Sequence, residues 1–334
     1  MKGLQDQIAA YMAHRMPEAR EIVVSELSRI YGGSSQETFS FRASWQAGGE
    51  TITRRLILRR DATAGLIVAE RDLEYNVYRA LAGQGLPIPG VYFLELDPKW
   101  LERPFFIMDQ CPGKPGSPFV PTDPYDGHGT AIGEQYWSIL GQLAAIDHRA
   151  VGLESLRNGN ATFGFWSLEL HRWEEILDDN EALIEPAVRG AIRWLRRNPP
   201  PEPAKPSIVH GDYRSGNFLF TEDGIISAIL DWEMCHVGDP LEDVAWGLDP
   251  FWPITRHYPI DAGLARWEAA SGMAIDHAVL EWWKLFTAIK ACVIWTTASA
   301  GFASGKNREM TMALSGIRAG HFHRDLILKM MRQR

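Results

Sequence analysis

The stretch that decides the fold runs from Ser207 to Glu233, SIVHGDYRSGNFLFTEDGIISAILDWE. Short apolar runs, Ile208-Val209, Phe218-Leu219-Phe220 and Ile229-Leu230, are separated by polar residues. Runs of this kind between turn residues read as strands, and Glu222-Asp223-Gly224 reads as the turn of a hairpin. Each strand carries a chemically useful group at its end: Asp212 follows the first, Asn217 precedes the second, Asp231 follows the third. Such a set suits metal-bound phosphate, because Mg2+ prefers hard oxygen ligands, usually one or two carboxylates together with phosphate oxygens. D-x-x-x-x-N followed 14 residues later by a strand-end Asp also matches the kinase order of base, metal-binding Asn and metal-binding Asp. A second chemistry is open on the pattern alone. His210-x-Asp212 with a later His236 or His257 mimics the facial triad of a non-haem iron oxygenase. That enzyme type needs an extended β-barrel, whereas the chain beyond Asp243 has a helical pattern.

Outward from this insert the pattern is helical on both sides. A proline-rich lead-in, NPPPEPAKP, precedes it, and 166–179, 184–197 and 277–296 have helical periodicity. Ile132, Tyr136, Ile139, Leu140, Leu143 and Ile146 form one apolar face. The segment from Cys111 to Gly129 holds five prolines and four glycines and is expected to continue neither strand nor helix. It reads as the boundary of two lobes: 1–110, a linker 111–130, and 131–334. Before it lie a short amphipathic helix (Leu4, Ile8, Tyr11, Met12) and β-like runs Glu21–Tyr31, Glu37–Gln46 and Thr51–Arg60. The turns Gly32-Gly33-Ser34-Ser35 and Gly48-Gly49 make these an antiparallel meander. A helix over 64–82 and runs Val91–Leu96 and Pro104–Asp109 complete a five-stranded sheet with one helix.

Composition narrows the class. The 334 residues are 46% hydrophobic with net charge −8, which argues against nucleic acid as partner, since neutralising phosphates needs a basic surface. Residues 1–110 carry net −1, 111–300 net −12 and 301–334 net +5, so the acid is concentrated in the middle. Cys111, Cys235 and Cys292 form no C-x-x-C pair and read as reduced thiols. The N-terminus lacks an apolar h-region, and no stretch approaches 18 apolar residues. A cytoplasmic protein without a membrane partner is the expectation. Trp282, Trp283 and Trp295 read as core rather than as a substrate platform.

His210-Gly211-Asp212-Tyr213-Arg214-Ser215-Gly216-Asn217 resembles the H-G-D-x-x-x-x-N loop of the aminoglycoside phosphotransferase/choline kinase family. Ile229-Leu230-Asp231-Trp232-Glu233, with Gly238-Asp239-Pro240 and Asp243, is similar to that family's second signature. The likeness is strongest to its bacterial branch, related to the kinase-like domain joined to some acyl-CoA dehydrogenases. It implies an α+β, protein-kinase-like two-lobed fold, with a small antiparallel N-lobe and a mainly helical C-lobe bearing a β-hairpin catalytic insert. It also implies a kinase that transfers a γ-phosphoryl group from ATP or GTP to a small-molecule hydroxyl. By the resemblance Asp212 is the base, Arg214 a cation near the γ-phosphate, and Asn217 and Asp231 the Mg2+ ligands. Gly33, Ser34 and Ser35 become the phosphate-covering turn. Arg59, where the family more often has Lys, pairs with Glu74, and Met108-Asp109-Gln110-Cys111 forms a hinge holding the purine through backbone groups. His210, Asp239 and Asp243 become loop supports.

Overall fold

In the computed structural model, residues 2–30, 36–61, 71–117, 122–157, 164–180, 185–305 and 310–334 are described. The chain folds as two compact units, Met1–Ala82 with Ile88–Pro112, and Gly83–Pro87 with Gly113–Arg334.

Two-residue alternation orients the sheet of the first unit. Helix α1 (Lys2–Arg15) precedes β1 (Arg20–Ile30), β2 (Gln36–Ala47) and β3 (Glu50–Asp61); α2 (Arg71–Leu81), β4 (Val91–Glu95) and β5 (Phe105–Asp109) follow. The strands pair antiparallel in the order β1-β2-β3-β5-β4. Phe39, Phe41 and Ala43 of β2, Leu56 and Leu58 of β3, and Phe105 and Ile107 of β5 share one buried cluster with Ile8, Tyr11 and Met12 of α1. Each fully buried Leu, Ile, Phe or Met among them contributes roughly 2 kcal/mol. The alternate residues of β3 and β5, Ile57, Arg59, Phe106 and Met108, belong to the opposite face. There Tyr75 and Tyr78 of α2 meet the Phe106 ring. The meander is as the sequence predicts. The predicted helix over 64–82 is seen from Arg71; residues 62–70 lie outside the described residues.

The second unit begins with a difference from expectation. Lys114–Pro115 forms a short strand, β6, paired with the edge of the strand Phe218–Phe220, inside the segment read as unable to continue a strand. An edge position tolerates proline because its missing N–H need not face a neighbour. Helices α3 (Gly129–Ala145), α4 (Phe165–Asn180) and α5 (Pro186–Arg197) lead to β7 (Ser207–Val209), β8 (Phe218–Phe220), β9 (Ile226–Ile229) and β10 (His236–Gly238). The predicted hairpin is β8–β9, but β7 pairs outside it, antiparallel to β10. The insert is therefore two small ladders, not one.

Helices α6 (Leu241–Gly247), α7 (Ile254–His257), α8 (Ile260–Ser271), α9 (His277–Ala303) and α10 (Met310–Arg332) complete the unit. Glycines let α3 and α8 approach closely: a Cβ on Gly263 would stand 2.4 Å from Trp137 Nε1, and one on Gly141 2.7 Å from Trp267 O. Asp276 caps α9 by accepting the Ala278 and Val279 N–H groups, worth about 1 kcal/mol. By length and composition α9 is apolar enough to cross a membrane, contrary to the reading that no stretch approaches this. Yet 67% of its most apolar window is buried within the fold, as a core helix requires. Trp282 and Trp283 are buried on it, as expected of core residues.

Candidate active site

In the second unit β7 runs straight into His210, and the loop from His210 to Asn217 is tied to its surroundings at nearly every residue. The His210 and Gly211 N–H groups donate to the two Asp243 carboxylate oxygens at 2.6 and 3.0 Å. Asp243 sits on α6, where burial first and the adjacent Glu242 second push its carboxyl up to about 7, against the pull of Lys290 and of these two N–H donors. His210 is fully buried. Its Nδ1 accepts the Asp212 N–H at 3.2 Å, so the proton resides on Nε2, which donates to Leu230 O at 3.0 Å. Burial holds this imidazole neutral, with its pKa lowered to about 4. Both ring nitrogens are engaged, so His210 is not an iron ligand and the facial-triad alternative falls.

Asp212, whose side chain is 11% exposed, accepts three N–H donors at its carboxylate. Arg214 Nε (2.9 Å) and Trp246 Nε1 (3.0 Å) reach Oδ1, and Asn217 Nδ2 (2.6 Å) reaches Oδ2. Asn217 Nδ2 also donates to Asp212 O, leaving the amide oxygen as the donor available to a cation. The Arg214 guanidinium is anchored further by Ser215 O and by the Trp252 ring 5.0 Å away. Leu230 N–H donates to Asn217 O, extending the β8–β9 ladder by one step. Asn217 and Asp231 thus stand at the same end of the hairpin, and Asp231 turns out of it in the left-handed region (φ 71°, ψ 59°). Aspartate tolerates that conformation better than most residues. His210 staples Leu230, the residue before Asp231, to the loop that carries Asp212. Asp239 accepts from Leu241 N–H and Trp283 Nε1; burial outweighs these bonds and raises its pKa to about 6.

Behind the loop lies a buried polar set that sequence reading did not single out. Lys290 of α9 bonds Gly211 O and Glu242 Oε1, and Glu242 Oε2 faces His236 Nε2 at 3.2 Å. Glu169 Oε1 is 3.9 Å from the same nitrogen. Burial opposes charge on His236, but Glu169 and Glu242 outweigh it and raise its pKa to about 9. Its Nδ1 donates to Met234 O, so both ring nitrogens carry protons. Glu169, His236 and Glu242 are grouped as metal ligands could be. Two carboxylates against an imidazolium and an ammonium already balance, which leaves no charge for a cation to compensate. Signals for these residues did exist: Lys290 is a lone charge in an apolar run, and Trp246 lies one helical turn after Asp243.

In the first unit Arg59 Nη1 and Glu74 Oε1 lie 2.7 Å apart, with side chains 13% and 2% exposed. The contact is an ion pair by distance rather than an aligned hydrogen bond. Glu74 shares its α2 face with Val77, Tyr78 and Leu81, at i, i+3, i+4 and i+7, and strand parity puts Arg59 on the α2 face of the sheet. The predicted hinge segment closes the sheet. Met108 is paired with both Ile57 and Val91, the Asp109 N–H donates to Gly90 O, and the Gln110 N–H donates to Arg55 O. These donors are committed to the sheet, and among the described residues only the Cys111 N–H of the four remains. Gly33, Ser34 and Ser35 lie outside the described residues.

The profile of the Phosphotransferase enzyme family matches residues 27–283, well over half of the chain. Acyl-CoA dehydrogenase family member 10 of Mus musculus is 27% identical over 246 residues, covering 71% of this chain and 21% of that protein. The chain therefore spans about a fifth of the length of that curated relative. Among solved structures, a candidate aminoglycoside phosphotransferase from Ralstonia eutropha JMP134 is similar with a TM-score of 0.73, at 21% identity and 98% coverage of both chains. A thermostable mutant of aminoglycoside phosphotransferase APH(4)-Ia, in ternary complex with ADP and hygromycin B, is similar with a TM-score of 0.60. Its identity is 19%, covering 97% of this chain and 98% of that one. The fold is the protein-kinase-like fold of aminoglycoside phosphotransferases.

Proposed function

The chain belongs to the phosphotransferase enzyme family, and from that premise we propose that it transfers the γ-phosphoryl group of ATP or GTP to a hydroxyl of a small molecule. The observation that carries the reading is the Asp212 carboxylate, oriented by three N–H donors beside a hairpin that ends in Asn217 and Asp231. An ionised carboxylate has about four lone-pair sites, and the one left vacant is on Oδ2, where a substrate hydroxyl would donate. Asp212 then acts as the base, accepting that hydrogen as the oxygen attacks phosphorus. Positioning contributes most in this reaction, because the transition state is loose and calls for little covalent help.

Asn217 Oδ1 and the Asp231 carboxylate fit Mg2+ as hard oxygen donors, whereas Asp212 is already occupied by N–H groups. When bound, the ion neutralises charge on the phosphate oxygens. Arg214, partly exposed and held at Nε and Nη1, keeps further N–H groups for the transferring phosphoryl. Arg59, steered by Glu74, would clamp phosphate oxygens of the nucleotide bidentately where a lysine could offer only a point charge. The ADP and hygromycin B bound by the similar structure support a nucleotide donor and a hydroxyl-rich acceptor. The reaction belongs in the cytoplasm, in keeping with three free cysteines.

Calorimetry with Mg·AMP-PNP tests the reading on wild type and Asp231→Asn, a near-isosteric substitution that also accepts a left-handed backbone. Affinity should fall about tenfold or more in the variant, and lose its Mg2+ dependence. Equal, Mg2+-dependent affinity in both proteins would remove Asp231 from the metal site.

A further inference from the structure

Lys290 is 1% exposed, in the middle of an otherwise apolar helix. Its Nζ donates to Gly211 O at 2.5 Å and to Glu242 Oε1 at 2.8 Å. It also lies 5.3 Å from the ring centroids of both Trp173 and Trp246. Two of these contacts lead directly to Asp212. Gly211 is the residue before it, and Trp246 Nε1 donates to its Oδ1 at 3.0 Å. We propose that Lys290 is a positioning residue for phosphoryl transfer: its buried ammonium fixes the Gly211 carbonyl and the Trp246 indole, and through them the orientation of the Asp212 carboxylate. This rests on the reading of Asp212 as the group that receives the substrate hydroxyl.

Packing alone does not account for an ammonium here. Removing it from water carries a large desolvation penalty, and a well-packed apolar residue at such a place is often as stable or more so. What an apolar residue cannot do is donate to Gly211 O. The Gly211–Asp212 peptide is held from both sides, its C=O by Lys290 and its N–H, that of Asp212, by His210 Nδ1, so it cannot rotate freely. A cation over the Trp246 ring also draws electron density from the indole and makes its N–H a better donor to Asp212. Glu242 supplies the counter-charge and is itself steadied by His236, so the ammonium stays where these two contacts need it.

The test removes the cation without stranding its partner. Lys290→Met combined with Glu242→Gln keeps the interior neutral, and Trp246→Phe deletes the indole N–H alone. Three measurements apply: phosphate release from Mg·ATP with water as acceptor, Mg·AMP-PNP affinity, and the indole resonances of 15N-tryptophan-labelled full-length protein. In the Lys290/Glu242 variant kcat should fall about tenfold or more, while nucleotide affinity stays within about twofold. The Trp246 resonance, identified by its loss in Trp246→Phe, should shift and its proton exchange faster. Adding Trp246→Phe to that variant should cost less than it costs the wild type, since one route to Asp212 is already cut. An unmoved Trp246 resonance with unchanged kcat would overturn the proposal. So would a parallel collapse of affinity and of all dispersed indole signals, the mark of a merely structural residue. A wild type that neither binds Mg·AMP-PNP nor releases phosphate would instead defeat the phosphotransferase reading, leaving the resonance to uphold or overturn Lys290's hold on Trp246.

Discussion

Replacing Gly211 by alanine should be one of the most damaging single-methyl changes available to this chain. Gly211 has φ +81°, and a Cβ there would stand 2.5 Å from Met234 O and 2.9 Å from Met234 Cβ. The left-handed backbone costs an L-residue about 1–2 kcal/mol. Relieving contact with a backbone carbonyl adds roughly 1–3 kcal/mol, the range for overpacking a tight site. Gly272 supplies the control: its φ is +69°, and nothing lies within 4 Å of its would-be Cβ. Gly272→Ala should therefore show only the backbone cost of about 1–2 kcal/mol, and Gly211→Ala about 2–5 kcal/mol. Guanidinium unfolding of the two variants against wild type measures the difference. Turnover should separate them further, because a misplacement of about 1 Å in a catalytic group costs on the order of 100-fold, and Gly211 is the residue before Asp212. If Gly211→Ala destabilises no more than Gly272→Ala, the loop is not packed against Met234 as described, and the argument from close approach fails.

Two other perturbations address the remaining charged sites. Arg59→Met strands Glu74 in a buried position and should cost about 3 kcal/mol in urea unfolding. Adding Glu74→Gln should restore most of that stability, but leave Mg·AMP-PNP affinity reduced about tenfold on the clamp reading. For His236 the folded pKa of about 9 lies above the 6.5 of the free side chain. Its stabilisation is complete below pH 6.5 and lost as pH rises through 9, about 3 kcal/mol in total. Asp243, raised from 3.8 to about 7, also loses stability with rising pH, but its share ends near pH 7. Burial also raises the pKa of the Cys111, Cys235 and Cys292 thiols, a loss felt only toward pH 9. Urea midpoints measured between pH 7 and 8 should therefore fall more steeply in wild type than in His236→Gln; parallel slopes would contradict an imidazolium at His236.

The residues between Ser207 and Glu233 were legible because chemistry and spacing coincide there. A β-hairpin of known turn fixes Asn217 and Asp231 at one end, and Asp212 lies at a fixed offset before Asn217. The β-like runs and the turns between them likewise revealed the N-terminal meander, whereas the pairing of Arg59 with Glu74 came from the family resemblance. Less legible were β6 and β10. Strands of two or three residues are too short to show a period, and the partner of β7 comes after the hairpin. Which backbone groups of the hinge segment stay open was not legible for a related reason. A sequence names the residues of a strand end, but which backbone N–H groups remain unpaired depends on the neighbouring strands, and here Gly90 and Arg55 take two of them.

What the sequence determined by itself was local: which side chains end the strands, which helix faces are apolar, and which signature residues mark the family. Tertiary structure decided what holds those groups in place. Trp246 reaches Asp212 from 34 residues away, Asp243 reaches Gly211 from 32, and Lys290 reaches it from 79. These contacts join a loop to helices whose own sequences are governed by burial, where any apolar residue would pack. A buried lysine, aspartate or indole N–H takes on its role only when folding brings the one partner able to satisfy it, and no spacing rule links residues so far apart along the chain.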